Sequence, residues 1–125
     1  MRNLQQLRQR FLADNTSVRL GGAAANLARV ESFSDHPGHG EVVRGIVEET
    51  AHMIEWMAPA ADLELQVVLV DCQRCLARWR LAWPHLWSEP ERRLALAREA
   101  GAWSRRLLAM SGLLPAAGQA ADASR

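Results

Sequence analysis

Two cysteines form the first pattern with chemical potential, Cys72-Gln-Arg-Cys75. A Cys-x-x-Cys pair is typical of thiol redox chemistry when it begins a helix, because the helix dipole there lowers a thiol pKa. The same pair supplies half of a zinc site when two further ligands lie nearby. Here both cysteines fall in the middle of a segment with helical periodicity, on its apolar side. We therefore interpret them as small core residues and expect the chain to hold no cofactor.

Three histidines, His36, His39 and His85, form a second candidate site. The loop that carries His36 and His39 is expected at the same end of the fold as His85, and three imidazoles can bind a metal ion. Pro37 and Gly38 between the first two also describe an ordinary turn. A metal site at these histidines therefore stays open as an alternative.

The segment Arg80-Leu-Ala-Trp-Pro-His85 resembles the Arg-x4-His motif of the HEPN-domain ribonucleases, which are also helical bundles. In that family the motif lies inside one helix near the dimer axis. Here Pro84 interrupts it, and Leu81 stands where a polar residue normally follows the arginine. The resemblance implies a ribonuclease, and we keep this as the enzyme alternative.

The cysteines, Arg80 and His85 all lie within residues 62–87, a long segment that contains no glycine. Spacings of three and four place eight apolar residues on one side of a helix. We call them the front stripe: Leu65, Val68, Leu69, Cys72, Cys75, Leu76, Trp79 and Trp83. Four aliphatic residues, interrupted by Arg74, lie on the opposite side. We call them the rear stripe: Leu63, Val67, Val70 and Leu81. A helix that is apolar on two sides needs more than one neighbour, so we expect this segment to be the central element of the fold.

Similar periodicity predicts a short helix over residues 2–13 and three further main helices over residues 18–34, 40–57 and 89–111. Thr16 or Ser17 is expected to cap the second helix. Ser88 is expected to cap the last helix, with Glu91 completing a capping box. Gly112 is expected to end that helix.

The expected fold class is all-α, an up-and-down antiparallel bundle of four main helices with a short N-terminal helix. Short connections between long helices favour antiparallel neighbours. The domain is expected to span residues 1–114, since this length suits a single core. Residues 115–125 lack periodicity and apolar bulk, which predicts a disordered tail.

Composition excludes several classes of function. The net charge is +1, so no global field favours nucleic acid or an acidic membrane surface. All basic residues are arginines, which excludes Schiff-base chemistry through lysine. The first residues do not resemble a secretory signal, and no apolar run has the ~20 residues needed to span a bilayer. We expect a cytoplasmic protein with no membrane partner.

Several short motifs resemble small helical proteins of unknown function from cyanobacteria. They are the acidic pair that precedes Ile54-Glu55-Trp56, the tryptophans from Trp79 to Trp87, Trp103-Ser104, and Ser111-Gly-Leu-Leu114. The resemblance covers about residues 4–114. It implies a cytoplasmic helical bundle and no particular activity.

We interpret the chain as a non-enzymatic helical module for protein–protein interaction, with a homodimer as the expected assembly. The rear stripe is the expected interface if the short N-terminal helix leaves it uncovered. Trp56 lies away from the apolar stripe of its own helix, and an exposed tryptophan there would mark a further partner contact. The metal-binding and ribonuclease hypotheses remain the alternatives.

Overall fold

The computed structural model describes residues 3–112, and within that range it contains no β-strand. Single turns of 3-10 helix at Pro37–His39 and Ala58–Ala60 precede the third and fourth helices. The six α-helices are α1 (Leu4–Ala13), α2 (Thr16–Phe33), α3 (Gly40–Met57), α4 (Leu63–Leu81), α5 (Trp83–Ser88) and α6 (Pro90–Ser111). The predicted all-α class is confirmed. The tail predicted as disordered, residues 115–125, lies outside the described residues.

The front stripe lies in the core, and all eight of its residues are buried. Helix α3 faces the same core, with Val43, Val47 and Thr50 fully buried. Thr50 keeps its hydroxyl satisfied by donating to the carbonyl of Ile46 at 2.7 Å. Helical periodicity therefore identified which side of the 62–87 segment is buried.

Small residues bring α2 and α6 close together. Ala23, Ala24, Ala100 and Gly101 are all buried where these helices pack. The Ser104 hydroxyl donates to the backbone carbonyl of Ala24 at 2.7 Å. A side chain as short as serine can reach the neighbouring backbone only when two helices approach closely, and the small residues at this contact permit that approach.

The predicted 62–87 helix is broken in two, and this corrects the sequence interpretation. α4 ends at Leu81, where the Ala82 N–H still donates to the carbonyl of Arg78, and α5 begins at Trp83. The cause is Pro84, which has no N–H to donate to the carbonyl four residues earlier and whose ring would collide with it. Pro84 instead occupies the first turn of α5, where helices tolerate proline.

The predicted capping box at the start of α6 is also wrong. Ser88 is the last residue of α5, and its hydroxyl donates to the carbonyl of His85 at 3.3 Å. Glu89 occupies the cap position of α6 without a side-chain capping bond. Ser88 belongs to α5, a helix that the sequence did not predict. It therefore has a helical backbone and cannot serve as the N-cap of α6. Gly112 does end α6, in the left-handed conformation at φ 76°.

The cap of α2 is Asn15 rather than Thr16 or Ser17. Its side-chain oxygen accepts from the Val18 N–H at 2.9 Å. Asparagine is among the best capping residues, and it lies one position before the two that were expected.

Replacing this cap should measurably destabilise the protein. Asn15→Ala is expected to lower the free energy of unfolding by about 1 kcal/mol, since the Val18 N–H loses its acceptor. Thr16→Ala, one residue inside the helix, serves as the matched control and should change it by less than about 0.5 kcal/mol. Urea denaturation followed by circular dichroism measures both. A larger loss for the threonine variant would contradict the cap assignment.

Candidate functional site

The rear stripe of α4 holds four of the eight large apolar residues that are exposed within residues 3–112. The four side chains are exposed by 77% at Leu63, 55% at Val67, 50% at Val70 and 87% at Leu81. Single exposed aliphatic residues are ordinary on protein surfaces, but four on one helical face mark an interaction site.

The N-terminal helix does not cover this stripe. α1 packs on α3, where Phe11 is buried and its ring lies 5.9 Å from the ring of Trp56. Trp56 is consequently half-buried, with His52 stacked on it at 5.8 Å. The structure therefore gives Trp56 a neighbour within the chain, whereas each rear-stripe side chain stays at least half exposed.

Charge is distributed unevenly along the open side of α4. Asp62 and Glu64 are exposed at its N-terminal end, and Arg78 and Arg80 are exposed at its C-terminal end. Asp62 is the N-cap, and its carboxylate accepts from the Leu65 N–H at 2.9 Å. Acids at the start and bases at the end both stabilise the helix dipole. The same arrangement makes the two ends of the face electrostatically opposite.

Arg78 also contacts Glu99 of α6, with 3.9 Å between nitrogen and oxygen. Its side chain remains 70% exposed, so this ion pair is weak and leaves the guanidinium accessible. The open face of α4 is thus apolar along its middle and charged at its ends.

An apolar cleft of about 430 Å³ opens at the C-terminal end of the rear stripe. Leu81, Leu86 and Leu96 contribute to its apolar lining, and Arg78 and Arg92 are its cationic residues. It lies where α4, α5 and α6 meet. The cleft adjoins the break between α4 and α5, since Ala82 is among its lining residues.

The two cysteines are buried, as predicted for core residues. Burial raises the pKa of the Cys72 thiol to about 12. Burial, aided by a hydrogen bond to Glu99, raises the pKa of Cys75 to about 11. A nucleophilic or metal-binding cysteine needs the opposite shift, because the thiolate is the reactive form. This geometry is unsuited to thiol chemistry at neutral pH.

Glu99 joins α4 to α6 and was not identified from the sequence. One oxygen of its carboxylate accepts from the Trp79 indole N–H at 3.1 Å and from the Cys75 thiol at 3.2 Å. The only sequence signal is its position beside the buried Ala100 on α6. That signal places Glu99 at the edge of the core but does not name its partners.

The histidine candidates are brought together only in part. The His36 and His39 rings lie 4.9 Å apart, and each uses its Nδ1 locally. His36 Nδ1 accepts from the Gly38 N–H at 2.9 Å, and His39 Nδ1 lies 3.0 Å from the carbonyl oxygen of Phe33. His85 is exposed on α5, and residues 3–112 contain no group of three His, Cys, Asp or Glu residues arranged to hold a metal ion.

The ribonuclease-like motif is divided between two helices. Arg80 lies in the last turn of α4 and His85 lies in α5, with the break at Ala82 between them. The HEPN motif requires both residues inside one helix. The geometry of this segment therefore departs from the family that it resembles.

Comparisons with protein-family models, with curated proteins and with solved structures give no match for this chain. The resemblance to cyanobacterial helical proteins accordingly stays a prediction. Within residues 3–112, no helix combines the length and apolar character that crossing a bilayer would require.

Proposed function

We propose that this chain is a non-enzymatic interaction module that binds a second copy of itself through the rear stripe of α4. The observation that carries the proposal is the exposure of four aliphatic side chains on one helical face, each by half or more. α1, which could have covered this face, lies on α3 instead.

The energetics are consistent with a reversible dimer. Burying a large aliphatic side chain fully contributes about 1.5–3 kcal/mol, so eight partly exposed ones contribute on the order of 10 kcal/mol. Association costs about 4–15 kcal/mol in lost translational and rotational freedom. The charged ends and neighbouring side chains add to the favourable side. The net gain is therefore small, and we expect a dissociation constant no tighter than the micromolar range.

Sedimentation velocity should detect this assembly directly. At roughly 100 µM, the protein is expected to sediment with twice its 13.9 kDa chain mass, because that concentration exceeds a micromolar dissociation constant. Val70→Glu should weaken the association by about a hundredfold or more, since it places a carboxylate in the apolar interface.

Val42→Glu is the matched control. The exposed fraction of Val42, 53%, is similar to that of Val70, 50%. Val42, however, lies on α3, in a surface groove between α2 and α3. This variant should sediment as the wild type does. A wild-type protein that stays monomeric at these concentrations would overturn the proposal, and so would equal weakening by both variants.

We also infer that α2, α3, α4 and α6 form an up-and-down antiparallel bundle. Contacts between neighbouring helices support this arrangement because residue numbers rise along one helix as they fall along the other. Between α4 and α3, Gln66 contacts Ala58 at the C-terminal cap of α3 and Gln73 contacts Ala51. Between α2 and α6, Ser104 contacts Ala24 and Glu31 lies beside Gly101. Such a bundle would leave one side of α4 facing outward along its whole length.

A further inference from the structure

We infer that α4 meets α4 of the second copy in an antiparallel orientation, with Leu63 of each chain opposite Leu81 of the other. The inference rests on the proposed function, since it concerns the geometry of the same interface. The spacing of the apolar residues on the exposed face indicates a helical partner, and the position of Arg74 and the charges on the flank favour the antiparallel orientation.

The spacing along the open face is that of a coiled-coil seam. The residues that lie on it are Leu63, Val67, Val70, Arg74, Ala77 and Leu81. Successive members are separated by four, three, four, three and four residues, which is the alternation of a heptad repeat. Only Arg74 is not apolar. A helix with such a seam fits another helix better than a flat surface, because its side chains can pack between those of a similar seam.

Arg74 distinguishes the two orientations. In a parallel pair each seam residue meets its own copy, so the two Arg74 guanidinium groups would face each other across an apolar interface. In an antiparallel pair centred near residue 72, Arg74 lies opposite Val70 and within one helical turn of Asp71 of the second copy. Like charges in contact destabilise an interface, whereas Arg74 and Asp71 attract.

The charges on the flank of the seam also favour the antiparallel orientation. Glu64, Asp71 and Arg78 follow one another at intervals of seven residues, so they line one side of the seam. In an antiparallel pair this flank meets itself, which places Glu64 of each chain opposite Arg78 of the other and the two Asp71 residues opposite each other, where Arg74 of the second copy lies within one helical turn of each. In a parallel pair it meets the other flank, where Gln66 and Gln73 are uncharged. Glu64 is exposed and the Arg78 side chain is 70% exposed, so both are available.

The ends of the seam also fit this arrangement. The apolar cleft beside Leu81 lies at the end where Leu63 of the second copy would be placed. The acidic N-terminal end of one α4 then lies next to the basic C-terminal end of the other, and the two helix dipoles oppose each other. Complementary charge at both ends favours one orientation over the other more than it adds to the affinity.

Single cysteine variants at the two ends of the seam test the orientation. Leu63→Cys and Leu81→Cys are prepared as full-length chains with tags of different mass, mixed, and oxidised mildly. Both positions are exposed, so each variant is expected to fold. The two positions lie about 27 Å apart along one helix, and a disulfide needs Cα atoms within about 7 Å, so neither chain can close on itself.

The mixture is expected to give about tenfold more disulfide-linked heterodimer than either variant gives of linked homodimer, because only unlike ends meet. Wild-type protein, with Cys72 and Cys75 buried, should form no linked dimer. Val42→Cys mixed with Leu63→Cys is the control for chance collision and should link no more than the single variants.

The outcomes separate this inference from the proposed function. Efficient linking of Leu63→Cys to itself would overturn the antiparallel orientation, while the dimer seen by sedimentation would still support the proposed function. Linking at background level in every mixture, with dimeric sedimentation of the same samples, would also overturn the orientation. Monomeric sedimentation would overturn the proposed function and this inference with it.

Discussion

Leu76→Ala is expected to lower the free energy of unfolding by about 2–5 kcal/mol, whereas Leu63→Ala should change it by less than about 0.5 kcal/mol. The two residues have the same side chain and lie on the same helix, α4. Leu76 is fully buried and Leu63 is 77% exposed. Truncation of Leu76 removes apolar contacts and leaves a cavity, while truncation of Leu63 removes a side chain that solvent already surrounds.

The comparison is best made in the Val70→Glu background, because self-association would otherwise couple the Leu63 truncation to protein concentration. Urea denaturation monitored by tryptophan fluorescence gives the free energy for each variant. In the wild-type background, Leu63→Ala should also weaken the dimer. A stability loss at Leu63 that matches the loss at Leu76 in the monomeric background would mean that the rear stripe is covered within the chain.

Much of the fold follows from periodicity in the sequence. The front stripe of α4 was assigned to the core from spacings alone, and each of its residues is buried. The bounds of α3, residues 40–57, also agree with the prediction, since Pro59 limits that helix. Burial of one helical face is a repeated signal spread over many residues, so one exception does not hide it.

The incorrect predictions concern where helices begin and end, which single residues decide. Pro84 could have been accommodated by a kink or by a break, and the choice depends on the packing of α5 against α6. Asn15, Thr16 and Ser17 are all capping residues, and the sequence does not say which of them adopts the extended backbone of the cap. Such choices differ by about 1 kcal/mol, which tertiary contacts easily exceed.

Only part of the candidate site could be predicted, because the rest depends on tertiary contacts. The rear stripe could be identified from spacing, but its exposure depends on where α1 lies, and the Phe11–Trp56 contact that places α1 on α3 is not a local signal. Glu99 was missed because its partners, Cys75 and Trp79, come from another helix. Contacts between helices distant in sequence require the packed structure.

Alkaline pH should destabilise this protein through two side chains only. The chain has no lysine and no tyrosine, and arginine stays charged throughout the accessible range. Between about pH 8.5 and pH 11, Cys72 and Cys75 are therefore the only side chains that titrate. Burial raises the pKa of Cys72 from 9.0 to about 12, and burial with the Glu99 contact raises the pKa of Cys75 from 9.0 to about 11.

The sign of the effect follows from proton binding. Above about pH 9 the unfolded chain releases its thiol protons while the folded chain keeps them, so the unfolded state binds fewer protons. The free energy of unfolding is then unaffected below this pH and falls as the pH rises toward the folded pKa values. Each thiol contributes about 1.4 kcal/mol per pH unit above pH 9, which gives a loss of roughly 4 kcal/mol between pH 8 and pH 10.5.

The double variant Cys72→Ala/Cys75→Ala isolates this effect. Removing the two sulfurs should cost about 1 kcal/mol each at neutral pH, because small cavities remain, but that cost does not depend on pH. Urea denaturation at steps from pH 7 to pH 10.5 should give a falling free energy for the wild type and a nearly level one for the variant. Parallel curves would show that the thiols do not set the alkaline limit. The wild-type slope would also explain why both cysteines should resist alkylation until the chain unfolds, since only the thiolate reacts and burial keeps each thiol protonated.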